Sequence, residues 1–220
     1  MGTTIKLENV VKKYGKKEVI HNINLETREG EFSFLLGPSG AGKTTILNLI
    51  AGIAPVTSGN IYIEDKLVNN LKPMDRNVAI AFESYALYPD KTVYQNMEFP
   101  LNAPIRKKDL TDAEKKARVT QFAELLQISD LLDRYPKELS GGQRQRVALG
   151  RTLVRTPSVY LLDEPIAHLD AKLRNQMRSE LKKLQLKLGI PFICTSPDQA
   201  EAVAMADRIF LLNEGRIEQE

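Results

Sequence analysis

Apolar and polar positions alternate through the first thirty residues, with Ile5, Leu7 and Val10 followed by Val19, Ile20, Ile23 and Leu25. A period of two puts successive side chains on opposite faces. Thr4 to about Glu31 therefore predicts antiparallel strands with one solvated face. Phe32-Ser33-Phe34-Leu35-Leu36 breaks the alternation: a short, mostly apolar run stopped by Gly37-Pro38 predicts a fully buried strand. Thr44 to Ala51 predicts a helix closed near Gly52, and Ile61-Tyr62-Ile63 and Val78 to Phe82 predict further strands. From about Pro89 to Pro157 the period turns helical. There Thr111-Asp112-Ala113-Glu114 forms a capping-box pattern, and Val119, Phe122, Leu125 and Leu126 mark one face of an amphipathic helix. Val159-Tyr160-Leu161-Leu162 predicts a buried strand ending in Asp163-Glu164. Leu173, Met177, Leu181, Leu184 and Leu188 predict a helix ending at Gly189. Ile193 and Ile209 to Leu212 complete the strands, with a turn at Asn213-Glu214-Gly215. Strand and helix alternate, so the expected fold is α/β with a mostly parallel core sheet, an antiparallel β-subdomain and a helical insert over about 89–157, all in one domain spanning 1–220.

At 220 residues and 42% hydrophobic content, the chain is long enough to bury a full core. No apolar run approaches the roughly 18 residues of a membrane-spanning helix, and no secretory core follows Met1. One cysteine, Cys194, cannot form an internal disulfide, which favours a reducing compartment. His21 and His168 are too few for a zinc cluster. The net charge is +3 from 31 basic and 28 acidic residues that are largely interleaved, as at Arg178, Glu180, Lys182 and Lys183. That is a solvated face, and no nucleic-acid partner is expected.

Gly37-Pro38-Ser39-Gly40-Ala41-Gly42-Lys43-Thr44 fits the phosphate-loop pattern. Phosphates need closely spaced N–H donors with no Cβ in the way. Gly37, Gly40 and Gly42 permit such a nest, Lys43 adds charge, and the Thr44 hydroxyl can ligate Mg²⁺. Asp163 would emerge at the C-terminal end of its strand and hold Mg²⁺ through water, with Glu164 placed to orient or deprotonate an attacking water. An isolated Asp-Glu pair is more often a surface turn; beside a phosphate loop it gains weight. Leu139-Ser140-Gly141-Gly142-Gln143 opens a helix, where Ser140 can cap and free N–H groups make an anion site.

The order of these motifs resembles the ATP-binding cassette (ABC) ATPases, the nucleotide-driven subunits of ABC transporters, over nearly the whole chain. The resemblance implies a P-loop nucleoside-triphosphatase fold, ATP and Mg²⁺ as ligands, and contacts to nucleotide from Tyr14, Ser39 and Thr45 as well. It further implies that Ser140, Gly141, Gly142 and Gln143 bind the γ-phosphate held by a second ATPase subunit, head to tail, with Asp170 at that interface. Ser84-Tyr85-Ala86-Leu87-Tyr88-Pro89, Asn96-Met97-Glu98-Phe99-Pro100-Leu101 and Asp170-Ala171-Lys172-Leu173-Arg174 look like the carbohydrate-uptake importers of maltose and glycerol-phosphate type. By that likeness the Tyr85–Tyr88 stretch meets a transmembrane permease. A solute-binding protein takes part indirectly, and the chain sits peripherally on the cytoplasmic face of the membrane.

Two positions depart from the family. Glu83 stands where members carry a glutamine that contacts Mg²⁺ and the attacking water; it keeps an oxygen ligand but adds negative charge. Pro197 stands where the switch histidine precedes Asp-Gln, and proline has no donor for the γ-phosphate. Ser196-Pro197-Asp198-Gln199 nevertheless reads as a helix start, with serine as cap. The expectation is a site that binds MgATP and hydrolyses it slowly, either as a homodimer or by completing a site on a different, active ATPase. A non-transport regulatory ABC protein is the alternative from another class. By the resemblance, carbohydrate-uptake ATPases commonly carry a regulatory β-domain after the cassette, and this sequence stops at Glu220.

Overall fold

A computed structural model describes residues 2–103 and 110–220. β1 (Thr3–Tyr14) and β2 (Lys17–Arg28) pair antiparallel, and β1 also pairs antiparallel with β4 (Ser58–Ile63), which ends in the short β5 (Lys66–Leu67). This four-stranded sheet, in the order β2-β1-β4-β5, is the antiparallel subdomain that the alternation predicts. Its inward residues, including Ile5, Leu7, Ile23, Leu25, Ile61 and Ile63, are buried.

β3 (Phe32–Leu36) begins the second sheet. It lies between β8 (Phe192–Ser196) and β9 (Arg208–Asn213), parallel to both, and β7 (Val159–Asp163) lies parallel beyond β8. β6 (Val78–Ala81) and β10 (Arg216–Gln219) are the outer strands, giving the order β10-β9-β3-β8-β7-β6. Every residue of β7 and β8 is buried, as near-continuous apolar runs in a parallel sheet should be. β10 is antiparallel to β9, although Arg216-Ile217-Glu218-Gln219 has too few apolar positions to register as a strand in the sequence.

α1 (Lys43–Ala51) leaves β3 through the loop 37–42 and ends at Gly52, whose φ of 75° is the left-handed value a helix C-terminus favours. Its Ile46, Leu47, Leu49 and Ile50 join one core with Leu35, Leu161, Ile193 and Phe210 of the parallel sheet and the inward face of the antiparallel one. That shared core makes the loop between β3 and α1 a rigid feature.

The chain forms two compact units. The first comprises Met1–Ile80, Pro157–Glu164 and Leu181–Glu220 and holds both sheets and α1; the second comprises Ala81–Thr156 and Pro165–Glu180. In the second, α2 (Val93–Glu98), α3 (Asp112–Leu125) and α4 (Gly141–Leu153) each start in a capping box, at Thr92/Gln95, Thr111/Glu114 and Ser140/Gln143. Residues 104–109 of the expected helical stretch lie outside the described residues. α5 (Ala171–Leu188) and the short α6 (Gln199–Met205) complete the helices. The serine cap expected before α6 is corrected by the structure. Ser196 is the last, buried residue of β8, and Asp198 is the cap, accepting from the Ala200 N–H at 2.8 Å.

Candidate functional site

In the first unit the loop after β3 turns on Gly40 (φ 81°) and Gly42 (φ 103°), conformations that disfavour any side chain. A Cβ at Gly40 would meet nothing within 4 Å, so the space beside that backbone is open to a ligand. At Gly37 a Cβ would lie 2.1 Å from the Leu212 carbonyl oxygen, so this glycine is required by packing. Gly42 caps α1, and no side chain bonds the helix start. That N-terminus, with Ser39 and Thr44 exposed and Thr45 half-buried beside it, presents main-chain N–H groups to an anion.

Lys43 is buried, and its ammonium donates to the carbonyls of Gly37 (2.8 Å) and Pro38 (3.0 Å), with Glu164 Oε1 at 3.7 Å. The Thr44 hydroxyl donates to Asp163 Oδ1 at 3.2 Å, joining the start of α1 to the end of β7. A hydroxyl and a carboxylate meeting where the nest opens are hard oxygen donors, the set that suits Mg²⁺. Asp163 is 4% exposed, whereas Glu164, one residue on, takes the left-handed φ of 46°. That conformation costs a non-glycine residue about 1–2 kcal/mol. It turns the Glu164 carboxylate out of the strand and towards Lys43. Sequence reasoning missed Thr195, whose hydroxyl donates to Asp163 Oδ1 at 2.6 Å and accepts the Glu164 N–H at 3.0 Å. Its only signal was a threonine inside an otherwise apolar run.

Pro197 is exposed just beyond β8, whose last carbonyl, of Ser196, accepts the Gly37 N–H at 3.3 Å. Tyr14 ends β1 with 52% of its surface exposed and the Lys12 ammonium 4.7 Å from its ring centre. A large, exposed aromatic ring of this kind can stack on a planar base.

In the second unit Ser140 accepts the Gln143 N–H at 3.2 Å and Gln143 accepts the Ser140 N–H at 2.8 Å. Nothing lies within 4 Å of a Cβ added at Gly141. At Gly142 one would touch the His168 carbonyl and Leu169 at 3.4 Å. Gln145 accepts the His168 N–H, and Asp170 caps α5 by accepting the Leu173 N–H at 3.0 Å. The Ser140–Gln143 turn and the Asp170 loop are thus held together.

Glu83 is exposed near Tyr85, whose hydroxyl is pushed above its ordinary range by burial, with the Arg144 charge opposing and the Glu83 charge adding to the shift. Tyr85 and Ala86 both have positive φ (61° and 42°), and Arg151 donates to both carbonyls, at 2.9 and 2.8 Å. Tyr88 packs on Phe99 with ring centres 4.5 Å apart, and the fully buried Asn96 accepts the Tyr88 N–H while donating to the carbonyls of Tyr88, Lys91 and Thr92. The 85–88 stretch is therefore a fixed surface feature carrying exposed aromatic area.

Residues 20–167 match the family model described as ABC transporter. The chain belongs to the ABC transporter family. It is 49% identical over 216 residues to the sn-glycerol-3-phosphate import ATP-binding protein UgpC of Cupriavidus necator, covering 98% of this chain and 58% of the relative. It is 51% identical over 216 residues to the maltose/maltodextrin import ATP-binding protein MalK of Vibrio cholerae, covering 98% and 57%. The chain thus spans less than two thirds of the length of these curated relatives. Among solved structures it resembles a dimeric post-hydrolysis state of the ATP-binding cassette MJ0796 bound to ADP and Pi, with a TM-score of 0.89 and 31% identity, covering 98% of this chain and 97% of that one. The fold is accordingly that of an ABC cassette. The span matching the ABC transporter model contains Gly37–Thr45, Ser140–Gln143 and Asp163-Glu164, and ends before Asp170 and Pro197. Among the described residues no helix is long and apolar enough to cross a membrane.

Proposed function

We propose that this chain is an ATP-binding and ATP-hydrolysing subunit of an importer, using nucleotide-driven pairing of two cassettes to work a membrane permease. The observation that carries the reading is the convergence of Lys43, Thr44, Asp163 and Glu164 at the mouth of a phosphate nest. The loop N–H groups and Lys43 hold the phosphates, and Tyr14 takes the base. Thr44 and Asp163 would hold Mg²⁺, which when bound would neutralise charge on the phosphates. Glu164 orients the attacking water and accepts its proton. The water oxygen bonds to the γ-phosphorus as the bond to the bridging oxygen breaks, leaving ADP and phosphate. Ser140, Gly141, Gly142 and Gln143, with Asp170, serve the γ-phosphate of a second subunit. The Tyr85–Tyr88 surface docks on the permease, which places the protein peripherally on the cytoplasmic face of the membrane. Likeness to importers of maltodextrin and glycerol phosphate supports a carbohydrate-like solute, delivered by a solute-binding protein.

Pro197 supports a second reading. With no donor at that position, the chain's own site holds ATP while its Ser140–Gln143 motif completes the site of a different, active ATPase. Measuring MgATP turnover and ATP binding for the purified chain and for Glu164→Gln separates the two. Turnover that Glu164→Gln abolishes, with binding retained, supports hydrolysis by the homodimer. ATP binding without turnover moves the assignment to the mixed pair, and no ATP binding overturns both.

A further inference from the structure

We infer that Thr195 is a positioning residue for both carboxylates of the nucleotide site, so that its single hydroxyl sets the Mg²⁺ dependence of nucleotide binding. The inference rests on the functional reading above and adds to it a residue that no motif singles out.

Thr195 sits in β8 with no exposed surface, paired in parallel register with Asp163 on one side and with Leu35 on the other. The strands carrying the carboxylates and the phosphate loop therefore flank it. A buried hydroxyl in such a strand must find partners, and here all of its described bonds go to the site. It donates to Asp163 Oδ1 at 2.6 Å and accepts the Glu164 N–H at 3.0 Å. The two bonds do different things. The first fixes the rotation of the carboxylate that also receives the Thr44 hydroxyl. The second anchors a backbone N–H in a residue whose φ of 46° no strand ladder would hold, and so keeps the Glu164 side chain within 3.7 Å of Lys43. A partner that orients a metal-binding carboxylate characteristically changes metal affinity by about 10–100-fold when removed. Valine has nearly the shape of threonine, so Thr195→Val removes the hydroxyl while largely keeping the packing.

The test compares wild type, Thr195→Val and Thr195→Ser by binding of a fluorescent ATP analogue, titrated with Mg²⁺ and repeated in excess EDTA, with melting temperatures measured alongside. The expected result is a tenfold or greater rise in the Mg²⁺ concentration needed for half-maximal enhancement in Thr195→Val. Binding in EDTA should be unchanged, and Thr195→Ser should behave as wild type. An unchanged Mg²⁺ midpoint in Thr195→Val overturns the inference while leaving the functional reading intact. So does an equal loss of affinity with and without Mg²⁺ accompanied by a lowered melting temperature, which would make the hydroxyl a support of the fold alone. Absence of nucleotide binding in wild type overturns the functional reading and this inference together.

Discussion

Gly37 and Gly141 are glycines for different reasons, and the difference is measurable. A methyl at Gly37 collides with the Leu212 backbone, so Gly37→Ala should cost about 1–3 kcal/mol in urea unfolding. A methyl at Gly141 meets nothing, so Gly141→Ala should stay within about 0.5 kcal/mol of wild type. Its ATP turnover should nevertheless fall, because the open space beside that backbone is where the partner's phosphate is proposed to lie; retained turnover argues against that role. Pro197 is exposed, so Pro197→His should fold normally. If the missing donor limits hydrolysis, phosphate release should rise by about 10²–10³-fold. Glu83→Gln, tested alone, then shows whether the added charge matters separately.

Short helices in the second unit depend on their ends and on what packs behind them. α2 has six residues, too few to persist alone. Buried Asn96 ties it to the 85–91 loop by accepting the Tyr88 N–H and donating to the Tyr88 and Lys91 carbonyls, and it also donates to the Thr92 carbonyl at the helix start. Asn96→Ala leaves the partly buried Tyr88, Lys91 and Thr92 carbonyls without that partner and should cost about 1–3 kcal/mol. Limited proteolysis should then cut near Tyr88, where wild type resists. Thr111→Ala, which removes only the cap of α3, should cost about 1 kcal/mol and leave ATP binding unchanged. The capping box at Thr111 and the cap at Ser140 were readable because each partner sits three residues along the chain. The α6 start was misread because Ser196 was already the end of a strand, with its hydroxyl donating to buried Glu201 and accepting the Asp198 N–H.

Across the whole molecule, burial shapes the response to pH. Burial holds the Cys194 thiol well above its ordinary 9.0 and also raises the Tyr85 and Tyr94 hydroxyls. In the unfolded chain these groups lose their protons first. Their contribution to stability is therefore full below about pH 9 and is lost as pH climbs towards the folded values. Melting temperature should fall as pH rises above about 9, and a flat profile would contradict the assignment. A thiol reagent should label Cys194 only as fast as the protein unfolds.

Local order was legible in the amino-acid sequence by itself. Alternation gave the antiparallel strands, apolar runs gave the buried ones, and contiguous patterns gave the glycine loop before α1 and the caps at Thr111 and Ser140. Those features are encoded within a few residues of one another. Strand neighbours and side-chain partnerships were decided only by the tertiary structure. Thr44 meets Asp163 across 119 positions, where the start of α1 lies against the end of β7, and Thr195 meets it across 32, because β7 and β8 stand side by side in parallel register. Hydrophobic periodicity specifies which face of a strand is buried, but a fully buried strand has no polar face to mark its neighbour. The hydroxyl of Thr195 therefore acquired a role only when the sheet placed a carboxylate beside it.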